Sequence, residues 1–408
     1  MKQAQDARNS TTLLLGLTEQ QRQAALLALA DGLESNSSKI IAENAKDLAE
    51  AKHLQLSSAM VDRLTLTEKS VRAMAQSCRE IAAFPQVVGQ IVSEQKRSDG
   101  LIIQKQRIPI GVIAMIFESR PNVVIDGAAL AIKSGTAILL KGGKEALHSN
   151  RVLAEVVQQS VADHVPAASV QLVETREDVQ ALLKLNHLID LMVPRGGEKL
   201  IRFVKEHATM PVVAHDRGLC HVYLHADADA EQALNIVLNA KTQRPGVCNA
   251  METLLVHQDF PKADLVKIIN ELHQRSVEIH ACSKTQPLVP GLMKAQESDF
   301  DTEWLDSKMS LKQVANEHEA VKHIQQHGTH HTEAVLTKTN SVVELFLNAI
   351  DASCLAINAS TRFNDGGELG LGAELGISTS KLHAYGAMGA QEMTTTRFIV
   401  RGTGHIRK

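Results

Sequence analysis

The region from residue 112 to residue 214 alternates short aliphatic segments with longer amphipathic ones. The predicted strands are Val112–Phe117, Thr136–Leu140, Val170–Val173, His187–Val193 and Pro211–Ala214. The predicted helices are roughly Asn122–Lys133, Ala146–Asp163, Glu177–Leu185 and Glu198–His207. Apolar strands that alternate with helices are typical of a parallel sheet, because each helix returns the chain to the edge where the next parallel strand begins. The pattern therefore predicts an α/β fold with a doubly wound sheet.

A second alternation begins near Asp227 and predicts a second domain of the same class. Its predicted helices are Glu231–Lys241, Ala263–Arg275, Glu317–His327 and Ser341–Ala349. Its predicted strands are Thr253–Val256, Val277–His280, Ala334–Thr337 and Cys354–Asn358. A chain of 408 residues is too long for one typical core, which agrees with two or three domains.

The segments around the two alternations complete the predicted organisation. We predict a helical part of the first domain at 1–99, a β-arm at 100–111, the first α/β domain at 112–226, the second at 227–360, and a C-terminal return to the first domain at 361–408. The arm and the β-branched tail Thr394–Arg401 are candidates to pair across a subunit interface. We therefore expect a homo-oligomer, a dimer or larger.

Composition excludes several classes of function. The net charge is −3, and the sequence has no basic block or aromatic-interleaved patch of the kind that binds nucleic acid. No apolar run approaches the length that spans a membrane, and the polar N-terminus lacks a signal-peptide core. Five cysteines without a CxxC spacing argue against a disulfide framework and against a cysteine-rich zinc site. We expect a cytoplasmic protein that acts on a small molecule, without nucleic acid or membrane partners.

A turn-forming segment contains the strongest candidate for a nucleophile, Cys248. It follows a predicted helix, and Pro245 and Gly246 force a turn that presents the thiol on irregular backbone. Lys241 and Arg244 would favour the thiolate if either points inward. The alternative is that Cys248 is a small buried side chain, as most free cysteines are.

Several predicted strand ends carry glycines and cations, and ligands of open parallel sheets bind beyond the carboxyl ends of the strands. These sequences are Glu118-Ser-Arg-Pro-Asn122, Lys141-Gly-Gly-Lys144, Pro194-Arg-Gly-Gly197 and His215-Asp-Arg-Gly218. Lys141 and Lys144 lie between a strand and a helix, where backbone N–H groups and ammonium groups suit a phosphate. The alternative is a solvated loop, because neither this segment nor the glycines at 370–376 match the G-x-G-x-x-G dinucleotide fingerprint.

One group of histidines suggests a metal site, namely His323, His327, His330 and His331. We expect no metal there, because the chain has no His-Glu-x-x-His motif and no nearby set of carboxylate ligands. Histidines at a helix end also complement the helix dipole. A serine hydrolase is equally unsupported, since the chain has no G-x-S-x-G elbow.

Seven segments spread along the chain form a specific set. They are Phe117–Val123, Lys141–Lys144, Pro194–Gly197, Gln243–Glu252, His323–Glu333, and Asn358–Phe363 with Gly370–Ser378. Together they resemble the aldehyde dehydrogenase superfamily, and within it the branch that reduces L-glutamyl 5-phosphate, over nearly the whole chain. The resemblance implies two doubly wound parallel-sheet domains with a β-arm for oligomerisation, the first domain binding NADP and the second carrying the catalytic cysteine.

The resemblance also implies a mechanism. Cys248 would attack the acyl phosphate, release phosphate and leave a thioester, which NADPH reduces to L-glutamate 5-semialdehyde in proline biosynthesis. Asn122 would donate a hydrogen bond to the oxyanion, Lys141 and Glu303 would hold ribose hydroxyls, and Lys144 would contact the 2′-phosphate. The full expected set of cofactor-binding residues is Lys141, Gly142, Lys144, Arg195, Gly196, Gly197 and Glu303. Without the resemblance, Asn122 is best interpreted as a helix cap and Glu303 as a solvated carboxylate.

One segment departs from the aldehyde-oxidising members, which share an E-L-G-G motif whose glutamate activates water. Here the corresponding segment, Val213–Gly218, contains no glutamate, which favours acyl-phosphate chemistry over hydrolysis. Arg120 and Arg362, with Arg244 as a third candidate, would bind the carboxylate and phosphate of the substrate, because guanidinium groups bind both bidentately. The alternatives are a hydrolytic aldehyde dehydrogenase and a non-catalytic family member. Since the acyl phosphate is labile, direct handover from glutamate 5-kinase is a further hypothesis.

Overall fold

The structure of the chain is a computed structural model that describes residues 2–56, 58–174, 176–214 and 217–407. It divides into two compact units. Unit 1 comprises Met1–Ala214, Gly370–Gly376 and Met388–Lys408, and unit 2 comprises His215–Leu369 and Ile377–Ala387. The predicted boundary at residue 226 is too late, because unit 2 already begins after Ala214. The segment 361–408, predicted to return to the first domain, is divided, with residues 361–369 and 377–387 in unit 2 and the rest in unit 1. The assignment of nucleotide binding and catalysis to separate domains stays a prediction.

The elements of regular structure alternate along most of the chain. The helices are α1 Lys2–Gly16, α2 Glu19–Ser35, α3 Ser37–His53, α4 Ser58–Leu64, α5 Glu68–Ala83, α6 Val123–Ser134, α7 Leu147–Val161, α8 Arg176–Leu182, α9 Glu198–His207, α10 Ala230–Thr242, α11 Lys262–Gln274, α12 Glu317–His327 and α13 Asn340–Ala349. The strands are β1 Ile91–Lys96, β2 Ile102–Pro109, β3 Val112–Phe117, β4 Ala137–Lys141, β5 Val170–Leu172, β6 Leu191–Arg195, β7 Cys220–Leu224, β8 Met251–His257, β9 Glu278–Ala281, β10 Met293–Lys294, β11 Lys308–Val314, β12 Thr332–Leu336, β13 Cys354–Ile357, β14 Ile377–Ser378, β15 Gly386–Ala387 and β16 Thr394–Arg401.

Unit 1 contains a four-stranded parallel sheet in the order β5-β4-β3-β6. All six residues of β3 are buried, as expected for a strand with neighbours on both sides and helices above and below. Helix α6, whose side chains are almost all buried, connects β3 to β4 and ends at Gly135, which has a φ of 67°. Glycine suits this left-handed cap because other residues pay a steric cost there.

A three-stranded antiparallel sheet in the order β1-β2-β16 also belongs to unit 1. It joins the predicted arm to the C-terminal tail, with Thr394 opposite Pro109 and Arg401 opposite Ile102. The side chains of β1 are all exposed, and on β16 Phe398 is 70% exposed. This sheet has the exposed edges and apolar side chains that the sequence predicted for an oligomerisation arm.

Unit 2 is built on a seven-stranded parallel sheet in the order β10-β9-β11-β8-β7-β12-β13. Successive residues of β7 point to opposite faces, so Val222 joins the core formed with α10 and α11, and Tyr223 joins the core formed with α12 and α13. Both faces of the sheet are therefore covered by helices. The α/β fold with two doubly wound parallel sheets is confirmed.

Some predicted elements were wrong or missing. Residues Pro211–Ala214, although described, form only an isolated bridge between Val212 and Met192, and the strand predicted from His187 begins at Leu191. Strands β7 and β11 were missed, because the polar residues within them, such as His221, interrupt the apolar pattern even though they are buried. Within the described residues, no helix combines the length and hydropathy that crossing a bilayer requires.

Candidate active site and nucleotide cavity

Cys248 lies in the irregular segment between the end of α10 at Thr242 and the start of β8 at Met251. Helix α10 ends just before Pro245, as a residue without a backbone N–H requires. The side chain of Cys248 is partly exposed, whereas Cys78 and Cys220 are buried. The prediction that this thiol is presented by a turn ahead of a buried strand is therefore confirmed.

The backbone at Cys248 packs against Gly218. A Cβ atom placed on Gly218 would lie 1.9 Å from the carbonyl oxygen of Cys248 and 2.9 Å from its Cα atom, so only glycine fits this contact. The N–H of Gly218 donates a 2.8 Å hydrogen bond to Oε1 of Glu303. In unit 2, Glu303 thus holds the backbone that supports the proposed nucleophile. Its predicted contact with a nucleotide ribose stays a prediction.

Cys220 adds a second contact to the same backbone. Its Sγ atom donates to the carbonyl oxygen of Cys248 at 3.1 Å. Burial, with the negative charge of Glu333, raises the pKa of Cys220 well above its ordinary value, so this thiol stays protonated and keeps its hydrogen for the bond. Next in the chain, buried Asn249 donates from Nδ2 to the carbonyl oxygen of Asn364 at 2.9 Å. The segment around Cys248 is therefore held on both sides.

Lys241 points inward but pairs with another residue. Its ammonium group is buried and lies 2.9 Å from Oε2 of Glu252, whose other oxygen accepts from the N–H of Leu305. Burial lowers the pKa of Lys241 and raises the pKa of Glu252 to about 7, while the attraction between the two opposes both shifts. The expectation that Lys241 would favour a thiolate at Cys248 is weakened, because its charge is offset by Glu252.

A small cavity of about 180 Å³ in unit 2 contains Arg362, one of the arginines predicted to bind the substrate. The residues that line this cavity are Asn239, Gln243, Arg362, Phe363, Asp365 and Glu368. Nε of Arg362 donates to Oε1 of Gln243 at 2.7 Å. Burial lowers the pKa of Arg362, while the charges of Asp365 and Cys248 act in the opposite direction and the cation Arg244 lowers it further. Arg362 therefore lies within electrostatic range of both Arg244 and Cys248.

Unit 1 contains a larger cavity, of about 560 Å³, at the carboxyl ends of β3 and β4. Its lining residues are Ile116, Phe117, Glu118, Lys141, Gly142, Gly143, Lys144, Glu174, Val179, Gln180, Lys199, Leu200 and Phe203. Lys141, Gly142 and Lys144 were all predicted to bind the cofactor. The cavity has the size of a small-molecule site, and its three lysines suit a phosphorylated ligand. The carboxylate of Glu174 is already paired with Arg151.

The other predicted glycines lie at the start of α9. The N–H of Gly197 donates to Oε2 of Glu118 at 2.9 Å, and a Cβ atom on Gly196 would lie 2.3 Å from that oxygen. The guanidinium of Arg195 forms an ion pair with Glu374 at 3.0 Å. Arg195, Gly196 and Gly197 come shortly before Lys199 in the chain, which lines the cavity, but they do not line it themselves. Their predicted contact with the cofactor stays a prediction.

Asn122 and Arg120 lie in unit 1, between β3 and α6. Asn122 occupies the N-cap position of α6, as the interpretation as a helix cap expects, but its side chain accepts no backbone N–H there. Its Nδ2 atom donates to Oδ2 of Asp126 at 2.9 Å. Arg120 is partly buried and accepts a backbone hydrogen bond from Val123. The predicted roles of Asn122 at an oxyanion and of Arg120 at the substrate stay predictions.

The histidines named for a metal site have other partners. His327 contacts Oδ1 of Asp301 at 2.7 Å, and His323 accepts from the ammonium group of Lys312 at 3.1 Å. Among the described residues, one different group, His225, His257 and Glu317, offers three ligand atoms within 4.8 Å of one another.

That second group is poorly suited to a metal. Nδ1 of His257 accepts the N–H of Asp259 at 3.0 Å. The other nitrogen of the neutral ring must then carry the proton, so neither nitrogen has a lone pair for a metal.

Sequence reasoning missed several residues that the structure brings to these places. Lys199 lines the cavity of unit 1, and it could have been found because it follows the glycines of a strand end and begins a helix. Glu118 and Asp126 are oriented by contacts that the sequence does not reveal. His215 and Asp216, which belong to a predicted strand-end sequence and to the segment that replaces E-L-G-G, lie outside the described residues.

The chain is similar in sequence and in fold to several known proteins. The model of the aldehyde dehydrogenase family matches residues 2–287. A gamma-glutamyl phosphate reductase from Nitratiruptor sp. is 47% identical over 98% of this chain and 98% of that protein. The crystal structure of gamma-glutamyl phosphate reductase from Thermotoga maritima matches with a TM-score of 0.95 and 39% identity, over 100% of this chain and 99% of that chain. An acetylating aldehyde dehydrogenase from Geobacillus thermoglucosidasius has a similar fold, with a TM-score of 0.73 and 16% identity over 100% and 97% of the chains.

Proposed function

Because the chain belongs to the aldehyde dehydrogenase family, and within it to the gamma-glutamyl phosphate reductases of proline biosynthesis, we propose that it forms a thioester on Cys248 and uses NADPH. The observation that carries the proposal is the partly exposed thiol of Cys248 in a turn whose backbone is held by Gly218 and Cys220. A partly exposed nucleophile whose backbone is fixed suits attack on a bound carbonyl.

The sulfur of Cys248 would attack the γ-carbonyl carbon of L-glutamyl 5-phosphate. The C–S bond forms, the C–O bond to phosphate breaks, and the phosphate leaves with the electron pair. When bound, NADPH supplies a hydride. Return of the electron pair to sulfur then regenerates the thiolate of Cys248 and releases L-glutamate 5-semialdehyde. The charge that develops on the carbonyl oxygen requires a donor, for which we propose Asn122, and one such donor is worth about 3 kcal/mol.

The bond between Asn122 and Asp126 supports this assignment. An amide nitrogen carries two hydrogens, and the acceptor Asp126 takes one of them, which fixes the orientation of the amide group. A preorganised donor costs no reorganisation when the oxyanion forms. The roles of Arg362, Arg244 and Arg120 as cations for the substrate are proposals of the same kind.

The exchange of Cys248 for serine tests the thioester. Cys248→Ser should lower phosphate-dependent oxidation of L-glutamate 5-semialdehyde by about a thousandfold or more, while the melting temperature changes little. Cys282→Ser, which removes a partly buried thiol from the same unit, is the matched control and should keep its activity. Substantial turnover by Cys248→Ser would refute the proposal. Oxidation that proceeds without added phosphate would instead favour a hydrolytic aldehyde dehydrogenase.

The preference for NADPH is supported by the lysines of the cavity in unit 1. Enzymes of the family use NAD or NADP, and a 2′-phosphate requires cations that the 2′-hydroxyl of NADH does not. Lys144 and Lys199 are exposed side chains in the cavity wall. We propose that they bind this phosphate, with Lys141 at a ribose.

Lys144→Met and Lys199→Met should each raise the KM for NADPH about tenfold and leave the KM for NADH within twofold. Lys267→Met removes an exposed charge from α11 and serves as the control. Equal losses with both cofactors would contradict the assignment.

The handover of the acyl phosphate from glutamate 5-kinase remains a proposal that is motivated by the lability of the intermediate. If handover is direct, hydroxylamine should trap less acyl phosphate in a mixture of both enzymes than the kinase alone releases. Trapping that is undiminished would count against a direct transfer.

A further inference from the structure

The small cavity around Arg362 carries charges of both signs. Arg362 supplies the cation, and Asp365 and Glu368 supply two carboxylates within the same lining of about 180 Å³. A site for a carboxylate or a phosphate alone gains nothing from two acidic side chains, because like charges repel. The mixed lining therefore indicates a ligand that is itself a zwitterion.

The substrate of the proposed reaction has one zwitterionic end. Its α-carbon carries an ammonium group and a carboxylate, whereas the γ-carbon carries the acyl phosphate that reacts. We propose that this cavity binds the α-amino acid end of the substrate, with Arg362 on the α-carboxylate and with Asp365 and Glu368 on the α-ammonium group. The inference rests on the proposed function and adds to it the residues that select an amino acid over a simple aldehyde.

The position of the cavity in unit 2 supports this inference. Gln243, which lines the cavity, precedes Cys248 by only five residues and holds Nε of Arg362 at 2.7 Å. The charge of Cys248 also raises the pKa of Arg362, which indicates that the two side chains are within electrostatic range. The cavity and the proposed nucleophile thus belong to one neighbourhood, as a five-carbon substrate requires.

Local hydrogen bonds prepare Asp365 for such a role. Its Oδ1 atom accepts the N–H of Gly367 at 3.0 Å, and its backbone N–H donates to the carbonyl oxygen of Phe363. The carboxylate is therefore held by its own loop, and its position does not depend on an ion pair with Arg362. Glu368 is exposed and follows in the same loop. A fixed and an adjustable carboxylate together suit an ammonium group, which donates three hydrogen bonds.

The α-ammonium group also matters chemically. An uncharged α-amino group in the semialdehyde attacks the aldehyde carbon of the same molecule, and loss of the carbonyl oxygen as water closes a five-membered cyclic imine. Carboxylates that hold the group protonated would prevent this closure until the product leaves. Asp365 and Glu368 would thus bind the substrate and protect the open form of the product.

Two aldehydes test the inference, because they differ only in the α-amino group. L-glutamate 5-semialdehyde carries the group, and glutarate semialdehyde lacks it. Phosphate-dependent reduction of NADP is measured with each. Asp365→Asn retains Oδ1 as an acceptor for Gly367, and Glu368→Gln retains the shape of its side chain, so both remove charge with little change in structure.

Each variant should raise the KM for L-glutamate 5-semialdehyde about tenfold, with little change in kcat. The kinetic constants for glutarate semialdehyde should stay within twofold of the wild-type values. Glu344 is an exposed residue of α13 that does not line the cavity, so Glu344→Gln is the matched control. It should leave the kinetic constants for both aldehydes unchanged. Each variant is compared with wild type on the same substrate solution. The fraction of the semialdehyde present as cyclic imine is then the same in both measurements and cancels in the ratio of the two KM values.

Two results would overturn the inference. One is an equal loss with both aldehydes, which would assign Asp365 and Glu368 a structural role. The other is an unchanged KM for L-glutamate 5-semialdehyde in the double variant Asp365→Asn with Glu368→Gln. A wild-type enzyme that fails to oxidise L-glutamate 5-semialdehyde at all would instead reject the proposed function, so the two failures are distinguishable.

Discussion

Gly218 shows how tightly a single residue is constrained at the candidate active site. Its missing side chain allows the backbone of Cys248 to approach, and its N–H is held by Glu303. The φ angle of Gly218 is not in the left-handed region, so the requirement for glycine comes from the close approach of two chain segments and not from the local turn. The contact therefore places the proposed nucleophile through backbone alone.

Gly218→Ala should lower kcat about a hundredfold, because the new methyl group would lie 1.9 Å from the carbonyl oxygen of Cys248 and would displace that backbone by about 1 Å. The measurement is the steady-state rate of phosphate-dependent oxidation, with the melting temperature recorded alongside. Gly16→Ala provides the control, since a Cβ atom there meets no atom within 4 Å. A Gly218→Ala variant with wild-type kcat would show that the position of Cys248 tolerates displacement.

At the scale of elements, helix α12 brings buried histidines into the core of unit 2. His323 is only 4% exposed, and its ring packs edge to face against Phe300 and His221. Burial, together with neighbouring His221 and Lys312, lowers the pKa of His323 to about 2. In the unfolded chain the same imidazole has its ordinary pKa near ~6.5.

This difference predicts how acid destabilises the protein. Below pH ~6.5 the unfolded state binds a proton at His323 that the folded state does not, so stability is lost as the pH falls. At pH 5 the loss from this group is about 2 kcal/mol. His323→Asn should therefore reduce the decrease in free energy of unfolding between pH 7 and pH 5 by about that amount, as measured by urea denaturation at each pH.

The same helix offers a control for the acid effect. His318, the second residue of α12, has a side chain that is 74% exposed, so its exchange removes no buried imidazole. His318→Asn should leave the pH dependence unchanged. If the His323 variant, the His318 variant and the wild type lost stability in parallel, the buried imidazole would not be the cause.

At the scale of the whole molecule, the antiparallel sheet β1-β2-β16 is the feature that most strongly indicates assembly. Phe398 and Val400 on β16 are 70% and 61% exposed, and both lie on a strand that is the edge of its sheet. Monomeric proteins rarely leave an apolar edge strand uncovered, because such an edge pairs with other chains. We propose that this sheet forms the subunit interface of a homo-oligomer.

The double variant Phe398→Ser with Val400→Ser should shift the protein from a dimer or larger assembly toward the monomer mass of 44.4 kDa. Light scattering coupled to size-exclusion chromatography gives the mass directly. Leu382→Ser removes an apolar side chain that is 84% exposed in unit 2 and should leave the mass unchanged. A wild-type monomer, or an oligomer that survives the double variant, would exclude this interface.

Much of the fold follows from the sequence, because hydrophobic periodicity is a local property. The apolar run Val112–Phe117 and the helical pattern after Asn122 both became the expected elements, and the turn at Pro245 and Gly246 fell where residues without helical preference stand. The segments that resemble the aldehyde dehydrogenases also indicated Cys248 and two of the lysines of the cavity, Lys141 and Lys144, since a residue type at a set spacing is visible without coordinates.

Contacts between distant segments were decided by the tertiary structure alone. The chain does not reveal that Lys241 is paired with Glu252, that Glu303 reaches the N–H of Gly218, or that Asp365 and Arg362 share one cavity with Gln243. These partnerships depend on which strands become neighbours in the sheet and on which side chains lose water. The sequence by itself thus determined the class of fold and supplied the candidate reactive groups, while three-dimensional packing decided the partners and the orientation of these side chains, because both depend on contacts between segments far apart in the chain.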